Sequence, residues 1–206
     1  MSDQTIAGAI LAGGQARRFG GLDKSRLTGS DGRPLIVRQL DLLRRVAGNL
    51  CIVTTVTDHQ SRPDRFADLH VPVTTDAIPD AGALGGIHAA LCQAAATSAN
   101  IDRVLVVACD LPNLTVDLLT ALSELAREGD GAWVRSHRGP EPLIACYQVH
   151  ILPRVTAALE AGERRAHALG ERLTLGELGP DALAAFGDPD TLTANVNTPE
   201  EWRRVQ

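Results

Sequence analysis

The chain has 206 residues, of which 44% are hydrophobic and 3% aromatic, and carries a formal net charge of −5. That length suits one domain with a substantial core, the acidic balance opposes a polyanionic partner, and the scarcity of aromatics removes the stacking platforms that single-stranded nucleic acid needs. No apolar run reaches the ~20 residues of a membrane helix and no signal peptide precedes residue 6, so a cytoplasmic protein without membrane or nucleic-acid partners is expected.

In chain order, residues 6–11 (IAGAIL) form a short apolar run of the kind that makes a buried strand. It leads into LAGGQARRFGGLDKS at 11–25, where four glycines, two adjacent arginines and Lys24 share one loop. Residues 1–45 hold eight basic residues and four acids, a net of +4 that leaves −9 for the remainder. Local positive charge on an acidic chain suits one compact anion. Lys24 is the only lysine, beside nineteen arginines, which points to a position needing a compact ammonium in place of a planar fork.

Residues 34–46 have helical spacing, with Pro34 in the first turn. Residues 49–56 and 71–76 read as strands, the second closing at Asp76. Residues 83–96 read as a helix with small residues on one face. Residues 102–110 (DRVLVVACD) are the most strand-like segment, apolar up to Cys109 and then acidic at Asp110. Residues 115–129 predict a helix with Thr115 as N-cap and Gly129 beyond its end. Strands follow at 131–136 and, antiparallel, at 141–149. Residues 151–173 are helical with a break near Gly162. TPEEWRRV, near the end, reads as a helix start with Thr198 as N-cap, Pro199 at the first position, and Glu200 and Glu201 in the first turn. Strands alternating with helices predict an α/β fold, a three-layer α/β/α sandwich on a mostly parallel, Rossmann-like sheet with right-handed crossovers.

Ligands of such sheets bind beyond the carboxyl ends of the strands. The glycine loop follows strand one, Asp76 closes strand three and Asp110 closes the central strand, so all three are expected on one rim. Gly13 and Gly14 allow backbone N–H groups to approach a phosphate, and Arg17, Arg18 and Lys24 balance a triphosphate. The loop is neither a Walker A, since Lys24 lacks the preceding glycine, nor a GxGxxG. Asp110 suits either Mg²⁺ or a cap on the following proline turn, and the phosphate loop on the same rim favours Mg²⁺. Asp76 suits a base, a ribose, metal-bound water or turn chemistry. Cys51, Cys92, Cys109 and Cys146 form no CxxC pair and read as small buried thiols. No histidine is given a catalytic role; His88 and His167 are expected at surface or helix-packing positions.

LAGGQARRFGGLDKS, TTDAIPDAGALGGI, VVACDLP, EPLIACY, LEAGERR and NVNTPEEW stand in an order and spacing that resembles the molybdenum cofactor guanylyltransferases across nearly the whole chain. The first motif is shared by many small nucleotidyltransferases; LEAGERR and NVNTPEE are more specific. The resemblance implies a fold of the nucleotide-diphospho-sugar transferase type over residues 1–206, with 1–115 as nucleotide-binding half and 116–206 as acceptor-binding half. It implies transfer of GMP from GTP to the terminal phosphate of molybdopterin, with Mg²⁺ as cofactor and pyrophosphate as product. Leu11, Ala12, Gly13 and Gly14 would then meet the nucleotide through backbone groups, and Lys24 and Arg18 the triphosphate. Asp76 would take the nucleoside end and Asp110 the metal. Thr55 stands where some members place an Asn that reaches guanine. Arg164 and Arg165 would grip the acceptor phosphate, with Asn195 and Asn197 near the pterin or the metal. Phe19 stands where the family often has Met, and GPEPLI (139–144) lacks the His-Pro of some members. A monomer is expected, with transient contacts to cofactor-inserting or molybdoenzyme-maturation proteins. The alternatives are a CTP-dependent or other small nucleotidyltransferase and, in another class, a non-catalytic nucleotide or cofactor carrier.

Overall fold

The computed structural model of the chain describes residues 3–13, 23–28, 31–76, 78, 80–196 and 201–202. The strands are β1 (Asp3–Leu11), β2 (Ala47–Thr54), β3 (Val73–Thr75), β4 (Arg103–Ala108), β5 (Gly131–Ser136), β6 (Gly139–Gln148) and β7 (Leu175–Leu178). They form one seven-stranded sheet in the order β3-β2-β1-β4-β6-β5-β7. Every pairing is parallel except those of β6, which runs against both β4 and β5. The exception has a local cause. Only His137 and Arg138 separate β5 from β6, too few residues for a crossover, so the two strands must form a hairpin. Gly139 enters β6 at φ +121°, which a side chain would resist.

The sheet is covered on both faces. Ile6 and Ile10 of β1 and Leu105 and Val107 of β4 face one core, with Ile36, Leu40 and Leu43 of α1 (Leu35–Arg44) and Leu118, Leu119 and Leu122 of α4 (Val116–Leu125). Their alternating neighbours Ala7, Ala9, Val104 and Val106 face the other core, against α3 (Gly82–Thr97) and α5 (Leu152–Glu160). The two-residue period of the strands thus divides one apolar run between two layers, the expected three-layer sandwich. Small residues bring α3 close to β1. A Cβ at Gly86 would come within 2.6 Å of the Leu11 side chain.

Elements beyond the expected set are short. α2 (Val56–Ser61) buries no residue and is held by Thr55, whose hydroxyl accepts from the Asp58 N–H. α6 (Pro180–Leu183) and α7 (Pro189–Leu192) begin at prolines, and β7 closes the sheet edge beside β5. None carries enough apolar periodicity to be read in advance. Pro34 precedes α1 as its N-cap, and α4 ends at Leu125, short of Gly129. Thr115 caps α4 as expected, accepting from the Leu118 N–H. The helical stretch from 151 breaks at Gly162, φ +88°, and resumes as a 3-10 turn at Ala166–Glu171. Thr198, Pro199 and Glu200 lie outside the described residues; Glu201 and Trp202 are helical.

Three cysteines are buried as expected, but Cys92 is exposed, because α3 turns that position away from the sheet. Burial pushes the Cys51 thiol up to about 12, so it is an inert packing group. His88 packs between helices, its Nε2 2.9 Å from the Thr156 hydroxyl, and His167 is exposed. Among the described residues no helix is long and apolar enough to cross a membrane.

Beyond the antiparallel strand, Asp130 joins three elements. Its carboxylate accepts from Arg154 of α5, from the Thr174 N–H ahead of β7 at 2.8 Å, and lies 3.0 Å from His150. The Arg154 guanidinium, then the Thr174 N–H and His150, outweigh burial and hold this carboxyl well below the usual range. A depressed carboxyl adds stability that is present above about pH 4 and is lost as pH falls through the folded-state value. Asp130→Ala should cost about 1.5–3 kcal/mol, roughly 3–10 °C in Tm. Thermal melts from pH 7 down to pH 2 should show the gap between the two proteins closing toward the acid end.

Candidate functional site

Chain order places β1, β2 and β3 side by side, and the chain then returns to put β4 on the opposite flank of β1. Strand order therefore reverses at β1, and crevices of open α/β sheets form at the carboxyl ends of such strands. Here the crevice is a cavity of about 420 Å³, within the range that takes a nucleotide-sized ligand. Leu11, Ala12 and Gly13 leave β1 into its wall, Thr55 follows β2, Asp76 follows β3 and Asp110 follows β4. Lys24 and Ser25 reach it from a 3-10 turn at Lys24–Arg26, and Gly82, Ala83 and Gly86 from the start of α3.

Strand register produces this convergence. Leu11 pairs with Ala108 across β1 and β4, and with Val53 across β1 and β2. The Ala12 N–H donates to the Val53 carbonyl at 2.8 Å, and the Cys109 N–H to the Leu11 carbonyl at 3.0 Å. Gly13 then passes so close to β2 that a Cβ there would lie 3.1 Å from the Thr55 nitrogen. The absence of a side chain at this point lets the backbone form the cavity wall.

The Lys24 Nζ lies 3.9 Å from Asp110 Oδ2, each side chain about three-quarters buried. This separation exceeds hydrogen-bond length, so the two charges attract without sharing a proton. Burial pushes the Asp110 carboxyl up, and the Lys24 charge opposes that shift. Asp76 is likewise pushed up by burial, with the Val56 N–H, 3.1 Å from its Oδ1, pulling the other way and Asp80 adding to the rise. Two carboxylates and one ammonium thus face a partly desolvated space where charge interactions exceed their value in water.

Asp110 is a hard oxygen donor on this wall. Among the described residues no group of three or more His, Cys, Asp or Glu side chains is arranged to hold a metal. One carboxylate with so few protein companions suits Mg²⁺, which commonly takes one or two carboxylates and completes its shell with phosphates and water. The residues present fit that ion and do not form a closed structural zinc site.

The remaining expected site residues fall into three groups. Arg18, Gly14 and Asn197 lie outside the described residues, as do Arg17 and Phe19. Asn195 is exposed, and the next residue, Val196, donates its N–H to the Asp110 carbonyl at 2.9 Å. That bond carries the C-terminal segment to the cavity. Arg164 and Arg165 do not line the cavity; their own N–H groups both donate to Glu163 Oε1 at 2.9 Å, and the Arg165 side chain pairs with the same carboxylate. The Arg164 carbonyl would lie 3.4 Å from a Cβ at Gly82, so this segment borders the α3 end of the cavity.

Among the charged residues that line the cavity, Arg65 was not among the expected ones. Arg65 lines the wall, and its guanidinium binds Asp23, Asp58, the Ser25 hydroxyl and the Ala12 carbonyl. In the sequence the only local signal is the i,i+4 pair of Asp58 and Arg62. Nothing in the spacing of residues 58–65 connects them to residue 23.

Comparison with known proteins accords with this geometry. The model of the MobA-like NTP transferase domain matches residues 8–176. A protein of Chloroflexus aggregans named "Probable molybdenum cofactor guanylyltransferase" is 33% identical, the match covering 98% of this chain and 93% of that one. A molybdenum cofactor guanylyltransferase of Vibrio atlanticus is 32% identical over 93% of this chain and 91% of its own. In fold, the crystal structure of molybdopterin-guanine dinucleotide biosynthesis protein A from Archaeoglobus fulgidus superposes with a TM-score of 0.78 at 23% identity, covering 97% of this chain and 96% of that one.

The close approach at Gly13 yields a measurable consequence. Gly13→Val should force the wall residues apart, costing about 1–3 kcal/mol in thermal or denaturant unfolding. Titration with a nucleoside triphosphate should show at least about tenfold weaker binding if the ligand occupies the cavity whose wall this backbone forms.

Proposed function

The chain belongs to the MobA-like NTP transferase family, and from that premise we propose that it transfers GMP from GTP to the terminal phosphate of molybdopterin, forming the guanine dinucleotide cofactor and pyrophosphate. It is a nucleotidyltransferase, and relatives matched over most of their length are named guanylyltransferases, which favours GTP over CTP and transfer over passive carriage. The observation that carries the residue assignments is the 3.9 Å approach of Lys24 to Asp110 on a cavity bounded by the backbone of residues 11–13.

In this reading an oxygen of the acceptor phosphate attacks the α-phosphorus of GTP. A new P–O bond forms as the bridging bond to the β-phosphate breaks, and pyrophosphate takes the electron pair. The nucleophile is already an anion at neutral pH, so no general base is needed, which agrees with the peripheral positions of His88 and His167. The obstacle is repulsion between anions. Unit charges 4 Å apart interact by roughly 4 kcal/mol at an effective dielectric of about 20. The Lys24 ammonium opposes that repulsion at the triphosphate, Arg18 is assigned to the same charge, and the backbone of Gly13, with Gly14 assigned beside it, would admit the phosphates closely. Asp110 would hold Mg²⁺, which supplies further neutralisation of phosphoryl charge. Asp76 orients the nucleoside end and Thr55 the base. The acceptor is taken by the 116–206 half, through Arg164, Arg165, Asn195 and Asn197. We place the enzyme in the cytoplasm as a monomer that meets cofactor-inserting proteins transiently.

The test is release of pyrophosphate from GTP. It should require both the pterin acceptor and Mg²⁺, and CTP should compete more weakly than GTP. Lys24→Ala should lower kcat by roughly 10²–10³ with the fold intact. Tighter competition by CTP would overturn the nucleotide assignment, and turnover undiminished in Lys24→Ala would remove the loop from the chemistry.

A further inference from the structure

We infer that Arg65 is a positioning residue that sets the Lys24 ammonium against the phosphates without touching them. The inference rests on the reading of Lys24 as the triphosphate cation. Arg65 sits in the cavity wall with its side chain 10% exposed, where an arginine would ordinarily be taken for a phosphate ligand. Its donors are already committed to the protein. Nε donates to Asp23 Oδ2, Nη2 to Asp23 Oδ1 and to the Ser25 hydroxyl at 3.3 Å, and Nη1 to Asp58 Oδ2 and to the Ala12 carbonyl at 3.0 Å. A guanidinium has five N–H bonds, and these five contacts match them.

The contacts join three chain segments that are distant in sequence. Asp23 and Ser25 flank Lys24 directly, Ala12 follows the end of β1 onto the cavity, and Asp58 belongs to α2. Asp58 is itself held by the Thr54 hydroxyl at 2.9 Å, at the carboxyl end of β2. The guanidinium also stacks on the Phe66 ring, 4.5 Å from its centroid, which fixes the plane of the fork. Asp23 in turn caps the Lys24–Arg26 turn, accepting from the Ser25 N–H at 3.0 Å. The Lys24 turn is therefore tied through one side chain to the ends of β1 and β2, the strands that shape the nucleotide wall. Burial alone would raise the Asp23 carboxyl, but hydrogen bonds from Arg65 and Ser25 and the Arg65 charge bring it below its ordinary value, so it stays an acceptor.

The charges explain why this device leaves Lys24 to its task. Arg62 also pairs with Asp23, 3.3 Å away, and with Asp58, so two carboxylates meet two guanidinium groups and the cluster is neutral. A neutral anchor beside the cavity holds the loop and adds no net charge to the space that Lys24 faces. Lysine at position 65 would keep the charge but could not make a planar five-point contact.

A double-mutant cycle with Lys24 separates positioning from general support. Kinetics would be measured with GTP and the pterin acceptor for the unsubstituted protein, Arg65→Gln, Lys24→Ala and the double variant, each confirmed folded by its melt. Arg65→Gln should lower kcat about 10–100-fold, as expected for a catalytic group displaced by about 1 Å, with a smaller change in KM. In the Lys24→Ala background the same substitution should cost less than about threefold, because the group it positions is gone. Arg65→Lys should rescue little. Asp58→Asn, which loosens the anchor from its other end and spares both named residues, should reproduce the pattern and decides the matter if Arg65→Gln does not fold. The chain's single lysine provides a readout besides turnover. Mg-GTP should slow amine labelling of Lys24 in the unsubstituted protein, and that protection should fall at least about threefold in Arg65→Gln. Equal costs of Arg65→Gln in both backgrounds, with protection retained, would overturn the positioning role and leave the function reading standing. Absence of protection in the unsubstituted protein would overturn the Lys24 reading itself, and this inference with it.

Discussion

Leu11 pairs with Ala108 across two neighbouring parallel strands, and that register governs everything at the cavity. Both chains leave the sheet at the same level and in the same direction. Asp110 lies two residues past the end of one strand, and the backbone of residues 12–13 lies just past the other. A shift of the pairing by one residue would turn each side chain to the opposite face of the sheet. The two cores hold the register in place, because Ile6 and Ile10 fit only the α1–α4 side while Ala7 and Ala9 fit only the close-packed α3 side. Site geometry and core packing are therefore one constraint.

What the sheet does not hold is the loop that carries Lys24. Its described residues, 23–28, belong to none of the seven strands, and polar contacts moor them. Arg65 and Asp23 tie its beginning to the ends of β1 and β2. Trp202 ties its end, donating its indole N–H to the Thr28 carbonyl at 2.7 Å while packing with Val196 on Leu35. Val196 also bonds the Asp110 carbonyl. The last segment of the chain thus contacts both the basic turn and the acidic strand end, although it is the farthest from them in sequence.

This division of labour fits the chemistry of a nucleotidyltransferase. A cavity meant for several phosphoryl groups needs cations whose positions do not relax when the ligand arrives, since reorganisation at the moment of reaction would erode electrostatic stabilisation. Arginines serve as the scaffold, because a planar fork can grip two carboxylates and a carbonyl together. The ammonium, compact and without a directional plane, stands at the cavity. In the sequence, the positive excess lies within residues 1–45 (+4) while the remainder is acidic (−9), a distribution that favours a compact anion over an extended one.

The α/β class, the order of most elements, an antiparallel strand near 141–149, observed at Gly139–Gln148, and the gathering of Leu11, Asp76 and Asp110 on one rim were legible in the sequence. Those features depend on local periodicity and on the rule that successive parallel strands end on the same side, both of which are written in consecutive residues. Motif spacing also carried the family, since a loop of bare backbone and a strand-end carboxylate are short-range patterns. α2, β7 and the short proline-led helices were not legible, because they bury too few apolar residues to leave a period. The role of Arg65 was hidden for a different reason. A guanidinium finds its partners by direction and distance in space, and residues 12, 23, 25 and 58 become its neighbours only after the sheet has closed. The same holds for Arg164 and Arg165, whose basic character was plain in the sequence but whose contact with Glu163, outside the cavity wall, was decided by the fold. Sequence determined which groups the protein possesses and along which strand ends they emerge. Tertiary structure alone decided which charges meet each other and which one faces the cavity, because electrostatic partners are chosen by proximity through space and not along the chain.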